Sequence, residues 1–201
     1  MSAGLLISSN MQTTTAGRKT PLSTCDRYMI CSSGAWGNTT CAFKILIDGV
    51  PASGPLRDQL VESVYMPKAR VKAGIELAAS GAASSSMDSS DGLAVSLHDL
   101  SKSSGNGFRV TSLPLTREAA RFSEGNRFDP ASVALYGGEE YELIFTVKPG
   151  RLDDARAALK RAGCTLQILG TVTAEKKIVY IEGGEEKPVG SGGWEHFRGL
   201  K

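Results

Sequence analysis

The chain has 201 residues, of which 41% are apolar, 23 basic and 21 acidic, for a formal net charge of +2. That length and apolar share suffice for one sizeable core, or for one large domain with an appendage. Balanced charge without a block of one sign excludes electrostatically driven binding to nucleic acid or an anionic membrane, and no apolar run nears the roughly 18 residues of a membrane span.

Residues 1–24 are rich in Ser, Thr and Gly and lack apolar periodicity. They are expected to be irregular or the remnant of an N-terminal domain, leaving 25–201 as the domain proper. No basic segment followed by an apolar stretch opens the chain, so the cytoplasm is the expected compartment. Cys25, Cys31, Cys41 and Cys164 lack zinc-knuckle spacing, and only His98 and His196 could join them. Reduced, partly buried thiols are expected. "RYMIC" (Arg27–Cys31) reads as a strand, and the glycine-bearing "SSGAWGNTT" leads into a helix near Thr39–Ile47. Asp48–Pro55 is a loop by its Gly and Pro content. Helices follow near Leu56–Tyr65 and near Lys68–Ala79, the second admitted by Pro67. Ala82–Met87 reads as a strand, and Asp91–Ser104 as a helix with Leu93, Leu97 and Leu100 on one stripe and Gly105 as its stop. Phe108–Leu113 is a further strand. In Tyr141–Lys148, Tyr141, Leu143, Phe145 and Val147 alternate with Glu142, Ile144 and Thr146, the period of a strand. A helix over Leu152–Ala162 has Asp153 and Asp154 in its first turn and Lys160 and Arg161 in its last, matching the macrodipole. "TLQILGTVT" and "KKIVYIEGG" are two more strands. Helices interleaved with strands of both kinds predict an α/β (α+β) sandwich, a mixed sheet with helices packed on it.

Three segments carry candidate chemistry. In "SSSMDSSDGLAVSLHDLSKSSG", Asp88 and Asp91 lie three residues apart where a helix begins. If Asp88 ends a strand and Asp91 opens a helix, both carboxylates can enter one crevice, where Mg²⁺ would relieve their repulsion alongside substrate phosphates. Ser90 between them offers a hydroxyl and an N–H near a helix N-terminus, favourable for a phosphate oxygen. Simple capping by Asp88, Ser89 or Ser90 is the other reading of the same spacing. In "YGGEEYELIF", Gly137 and Gly138 permit torsions or close approaches closed to other residues. Glu139 and Glu140 would then sit at the rim of the sheet, or in a hairpin turn as solvated acids. In "GSGGWEHFRG", Trp194 and Phe197 either anchor the tail in the core or present a ring to a planar ligand.

With "PKARVKAGIELA" (Pro67–Ala78), the segments "MDSSDGLAVSLHDLSKSSG", "YGGEEYELIFTV" and "GGWEHF" resemble, in order and spacing from about Tyr28 to Phe197, the thiamine-monophosphate kinase family. Its superfamily includes aminoimidazole ribonucleotide synthetase and selenophosphate synthetase. The resemblance implies the C-terminal domain fold of that superfamily and ATP- and Mg²⁺-dependent phosphoryl transfer onto thiamine phosphate, giving thiamine diphosphate. Carried over, Asp88 and Asp91 match the family's magnesium ligands, Ser90 a nucleotide contact and Glu139 a thiamine phosphate contact. Trp194 takes the place of the aromatic that meets the substrate. No protein nucleophile is implied, since phosphoryl transfer asks for positioning and charge neutralisation.

Ser89 stands where a β-branched apolar residue is usual in that family, and Glu140 where aspartate is usual. The family also has an N-terminal half bearing further metal-binding aspartates and much of a dimer interface, which residues 1–24 do not match. The chain is therefore expected to be the C-terminal substrate and metal domain of such a kinase, with weak or no activity alone. It would form a homodimer or pair with a chain carrying the other half. A non-catalytic thiamine phosphate-binding or assembly module, and another ATP-dependent enzyme of the superfamily, are the alternatives.

Overall fold

The computed structural model describes residues 28–192, and among these the chain forms seven strands and seven helices. The strands are β1 (Met29–Ser32), β2 (Ala83–Asp88), β3 (Gly107–Val110), β4 (Leu143–Val147), β5 (Gln167–Thr173), β6 (Ile178–Glu182) and β7 (Glu185–Pro188). They make one sheet of order β2-β4-β1-β5-β3-β6-β7. Every neighbouring pair is antiparallel except β3 and β6, which run parallel. The sheet is mixed, as the sequence predicts.

The helices are α1 (Asn38–Leu46), α2 (Gly54–Tyr65), α3 (Val71–Ser80), α4 (Leu93–Ser104), α5 (Arg117–Asn126), α6 (Pro130–Leu135) and α7 (Leu152–Arg161). Consecutive residues of the central strands go to different cores, because helices cover both faces of the sheet. Ile30 and Ile144 pack with Leu93, Leu97 and Leu100 of α4. Cys31 and Phe145 pack with Leu77 of α3 and Ala155, Ala158 and Leu159 of α7. Both rows of the alternation in β4 are thus inside. A third cluster joins α1, α2 and α5 through Cys41, Ile45, Leu60, Val61 and Phe122. Cys31 and Cys41 are buried and free, and burial pushes both thiols up to about 12. Among the described residues no helix is long and apolar enough to cross a membrane.

Several boundaries differ from the predicted ones. Helix α3 starts at Val71 rather than Lys68, because Arg70 is occupied elsewhere (below). Strand β3 stops at Val110 instead of Leu113, where the N–H groups of Thr111 and Ser112 both turn to the carbonyl of Leu169. Strand β7 is additional. It returns along β6 through the two-residue turn Gly183–Gly184, whose φ values of 59° and 90° suit a type I′ hairpin. Helices α5 and α6 occupy a stretch without a clear apolar period. They are started by side chains: Thr116 accepts the Ala119 N–H, and Asp129 accepts those of Ala131 and Ser132 ahead of Pro130.

Candidate functional site

Strand β2 ends at Asp88, which pairs with Leu143 of β4, and the turn Ser89–Gly92 then delivers α4. Asp88 and Asp91 are exposed, Ser90 is half-buried and Ser89 is buried. Among the described residues neither aspartate has a salt-bridge partner. The capping reading of the pair fails. The N-cap of α4 is Gly92, at φ 98°, with no side-chain cap, and no acid lies in the first helical turn. The predicted start at Asp91 is two residues early because glycine, not a side-chain acceptor, makes the entry. That glycine is required sterically as well, since a Cβ on it would stand 1.8 Å from the Gly137 carbonyl oxygen.

That contact brings the second acidic segment onto the first. The Glu139 N–H donates to the Ser90 carbonyl at 2.7 Å. The flanking glycines fit against α1. The Thr39 hydroxyl donates to the Gly138 carbonyl at 2.6 Å, and Thr40 Oγ1 fills the space where a Gly137 side chain would begin. Glu140 turns inward, its carboxylate accepting the N–H of Gly37 at 2.6 Å and of Thr39 at 3.3 Å. It thereby satisfies the N-terminus of α1, which has no cap of its own. Glu142, 4% exposed, also turns inward. It accepts two hydrogen bonds from Arg70, at 2.5 and 3.0 Å, and one from Ser33 at 2.5 Å. It fills the space beside Gly34 that any side chain there would need. The alternative of a hairpin turn with solvated acids therefore fails for Glu140, and Glu142 is buried as well. The backbone is left-handed at Glu139 (φ 61°) and Tyr141 (φ 53°), so the strand begins at Leu143 rather than Tyr141.

The electrostatics follow this division. Burial pushes the Glu140 carboxyl up to about 7, against the lowering pull of its bonds to Thr39 and Gly37, with Glu142 adding to the rise. Hydrogen bonding to Glu142 holds Arg70 firmly in its charged form. The Tyr141 phenol is raised first by burial and then by the charges of Glu139, Asp88 and Asp91. Glu140, Glu142, Arg70, Ser33, Asn38 and Lys68 line a cleft of about 450 Å³ on the inward side.

Five side chains are predicted as the site, and the structure brings four of them to one end of the sheet: Asp88, Ser90, Asp91 and Glu139. Trp194 lies outside the described residues. Arg70 and Glu142 are not singled out by the sequence reading. Their signal was present only as an arginine in "PKARVKAGIELA" and an acid at an apparently inward strand position. Among the described residues no group of three or more His, Cys, Asp and Glu side chains stands ready to hold a metal ion. A cation at Asp88 and Asp91 would need its other oxygen ligands from phosphate or water, the usual habit of Mg²⁺. The two exposed carboxylates without cationic partners fit that role.

A family model described as "AIR synthase related protein, C-terminal domain" matches residues 28–182. A thiamine-monophosphate kinase of Nitrosopumilus maritimus is 28% identical over 170 residues, covering 85% of this chain and 53% of that protein. The thiamine-monophosphate kinase of Halobacterium salinarum is 37% identical over 134 residues, covering 66% and 42%. Among solved structures, one described as "AaThiL complexed with AMPPCP and TMP" superposes with a TM-score of 0.70 at 26% identity, over 85% of this chain and 51% of that one. Escherichia coli HypE, at 14% identity and a TM-score of 0.63, shares the fold. The chain spans about half the length of the curated relatives it matches.

Proposed function

Because the chain belongs to the AIR synthase related protein C-terminal domain family, we propose that it is the C-terminal substrate and metal domain of a thiamine-monophosphate kinase. The reaction would move the terminal phosphoryl group of ATP onto thiamine phosphate, yielding ADP and thiamine diphosphate. One observation carries this reading: the bond from Glu139 to the Ser90 carbonyl, with Gly92 seated on Gly137, joins the acid pair to the Gly-Gly-Glu turn. Those are two of the segments by which the chain resembles that kinase.

Asp88 and Asp91 would hold Mg²⁺, and Ser90 would meet a nucleotide phosphate. A bound Mg²⁺ would neutralise phosphate charge and orient the reacting oxygens. Glu139 would contact the thiamine phosphate, and Trp194 would add an aromatic surface. None of these residues attacks phosphorus. The chain's contribution is to fix the acceptor and the phosphates in line, where positioning supplies most of the rate. Residues 25–201 would form this domain; residues 1–24, expected to be irregular or the remnant of an N-terminal domain, lie outside the described residues. A homodimer, or pairing with a chain that carries an N-terminal half, would complete the site. The cytoplasm is the proposed compartment.

With only two carboxylates in the described acid turn to hold Mg²⁺, too few cations would be fixed to neutralise the ATP phosphates, so turnover by this chain alone is expected to be weak or absent. Incubation with ATP, Mg²⁺ and thiamine phosphate checks this, and robust thiamine diphosphate formation would refute the weak-activity expectation. The same shortage favours a second reading, a thiamine phosphate-binding or assembly module without catalysis. Calorimetric binding without turnover, abolished by Glu139→Ala and Trp194→Ala, would select it. A sister ATP-dependent enzyme of the superfamily would instead turn over another acceptor in a substrate screen.

A further inference from the structure

Strand β7 ends at Pro188, and the chain is held once more at Val189. That side chain is 5% exposed and joins the core cluster of Leu97, Ala134 and Leu135. Its N–H donates to the Ile178 carbonyl at 2.9 Å, and its carbonyl accepts from His98 Nε2 at 2.9 Å. Gly190, Ser191, Gly192 and Gly193 follow, and three glycines in four residues leave the backbone many paths. Tyr136 gives this run a fixed neighbour. Its hydroxyl accepts the Gly190 N–H at 3.2 Å. A Cβ on Gly190 would stand 3.7 Å from that hydroxyl, and one on Gly192 would stand 3.8 Å from ring atom Cδ1. The chain therefore runs alongside the ring from Gly190 to Gly192.

Tyr136 is itself anchored. It closes α6, its N–H donating to the Ser132 carbonyl at 3.1 Å, and Gly137 follows it directly. The Gly137 carbonyl is the group on which Gly92 is seated, and Glu139 lies two residues beyond it. The Tyr136 ring is 37% exposed and belongs to none of the three core clusters. Trp194 comes two residues after Gly192, and two residues span at most about 7 Å. The segment that carries Trp194 thus sets out from the residue that opens the Gly-Gly-Glu turn.

We propose that Tyr136 is a positioning residue of this site, holding the chain at Gly190–Gly192 so that Trp194 meets the acceptor beside the Gly-Gly-Glu turn. This rests on reading Trp194 as the aromatic contact for thiamine phosphate. Without the hydroxyl, the glycine run would let the Trp194 ring spread over many positions. Binding would then bear the entropy cost of bringing it back.

The test is calorimetric titration of the whole 201-residue chain with thiamine phosphate in Mg²⁺, for wild type, Tyr136→Phe and Tyr136→Ala, with tryptophan fluorescence followed in parallel. The other tryptophan, Trp36, is 1% exposed, so a ligand-dependent change reports Trp194. Phe removes only the hydroxyl, and about 5-fold weaker binding is expected; Ala removes the ring as well, and about 10-fold or more is expected. In both variants the Trp194 change at saturation should be smaller than in wild type. Wild-type affinity in both variants overturns the positioning role, as does weaker binding with an undiminished Trp194 signal. The thiamine phosphate reading stands in either case. Wild-type binding without any Trp194 change overturns the Trp194 contact and the positioning role together, and no binding by wild type overturns the thiamine phosphate reading too. Should Tyr136→Ala not fold, Tyr136→Phe decides: weaker binding with a smaller Trp194 signal supports the role, and wild-type affinity overturns it.

Discussion

The backbone N–H of Glu139 reaches the carbonyl of Ser90 at 2.7 Å, tying the turn before β4 to the turn after β2. Strand β2 ends and β4 begins at the same end of the sheet, where Asp88 pairs with Leu143. Two acid-rich segments distant in sequence thereby become one surface. Asp88 and Asp91 are its exposed members, with the half-buried Glu139 beside them. Its inward members, Glu140 and Glu142, hold the backbone in place.

Asp88→Asn and Asp91→Asn, made singly, should leave the unfolding free energy within about 0.5 kcal/mol of wild type, as for surface substitutions generally. Both side chains are exposed and neither caps α4. Loss of a cap would instead cost about 1 kcal/mol. Mg²⁺-dependent thiamine phosphate binding should fall at least about tenfold, or by about 1.4 kcal/mol. Urea unfolding and calorimetry report the two quantities separately. Lost stability with intact Mg²⁺-dependent binding would return these acids to a capping role.

Gly92→Ala should be severe. The new methyl would meet the Gly137 carbonyl at 1.8 Å, and φ 98° is strained for alanine. Helix α4 must shift away from the Gly-Gly-Glu turn, breaking the Glu139–Ser90 bond. A cost of about 3 kcal/mol or more is expected from overpacking and backbone strain together. Chemical denaturation measures it, and a near-neutral variant would show that the two turns are not locked together.

Arg70→Ala should cost more than Glu142→Ala, although both break the same pair. The Arg70 side chain is 27% exposed and Glu142 only 5%, so an abandoned arginine can reach water while an abandoned carboxylate cannot. The range for a broken buried pair is about 3–5 kcal/mol, with Glu142→Ala toward or below its lower end. A double-mutant cycle in urea gives the coupling directly. The reverse order of costs would argue that Ser33 alone satisfies Glu142.

Stability should carry a pH signature from Glu140. Its folded pKa, about 7, lies above the ordinary 4.5, so the folded state holds the proton more tightly than the unfolded chain. The resulting stabilisation is complete below about pH 4.5 and is lost as pH rises through about 7. Glu140→Gln cannot titrate. The stability of wild type relative to this variant should therefore grow as pH is lowered from 8 to 5. A difference that stays flat across that range would mean the carboxylate is ionised at a normal pKa.

Much of the fold was legible locally. Helix α7 announces itself by two acids at its start and two bases at its end, and α4 by Leu93, Leu97 and Leu100. Helices α5 and α6 were not, because their buried stripes are short: Ala119, Phe122 and Ser123 in one, and Val133, Ala134 and Leu135 in the other. Their only clear local signals are the caps Thr116 and Asp129–Pro130. The direction of each acid in "GGEEYEL" was likewise hidden. An alternating pattern predicts which residues share a face only where the backbone is extended, and here φ is positive at Glu139 and Tyr141.

The sequence by itself singled out the segments proposed to carry the chemistry, the acid pair and the Gly-Gly-Glu turn, and predicted the mixed sheet with helices on it. It also showed that one carboxylate more than a helix start needs was present. Only the tertiary structure decided that Glu140 and Glu142 turn inward to hydrogen-bond partners. Gly37 and Thr39 of the α1 entry, Arg70 before α3 and Ser33 after β1 each claim an acid from a turn about 70 to more than 100 residues away. Buried charge goes where hydrogen-bond donors wait for it, and those donors come together only when the sheet has formed.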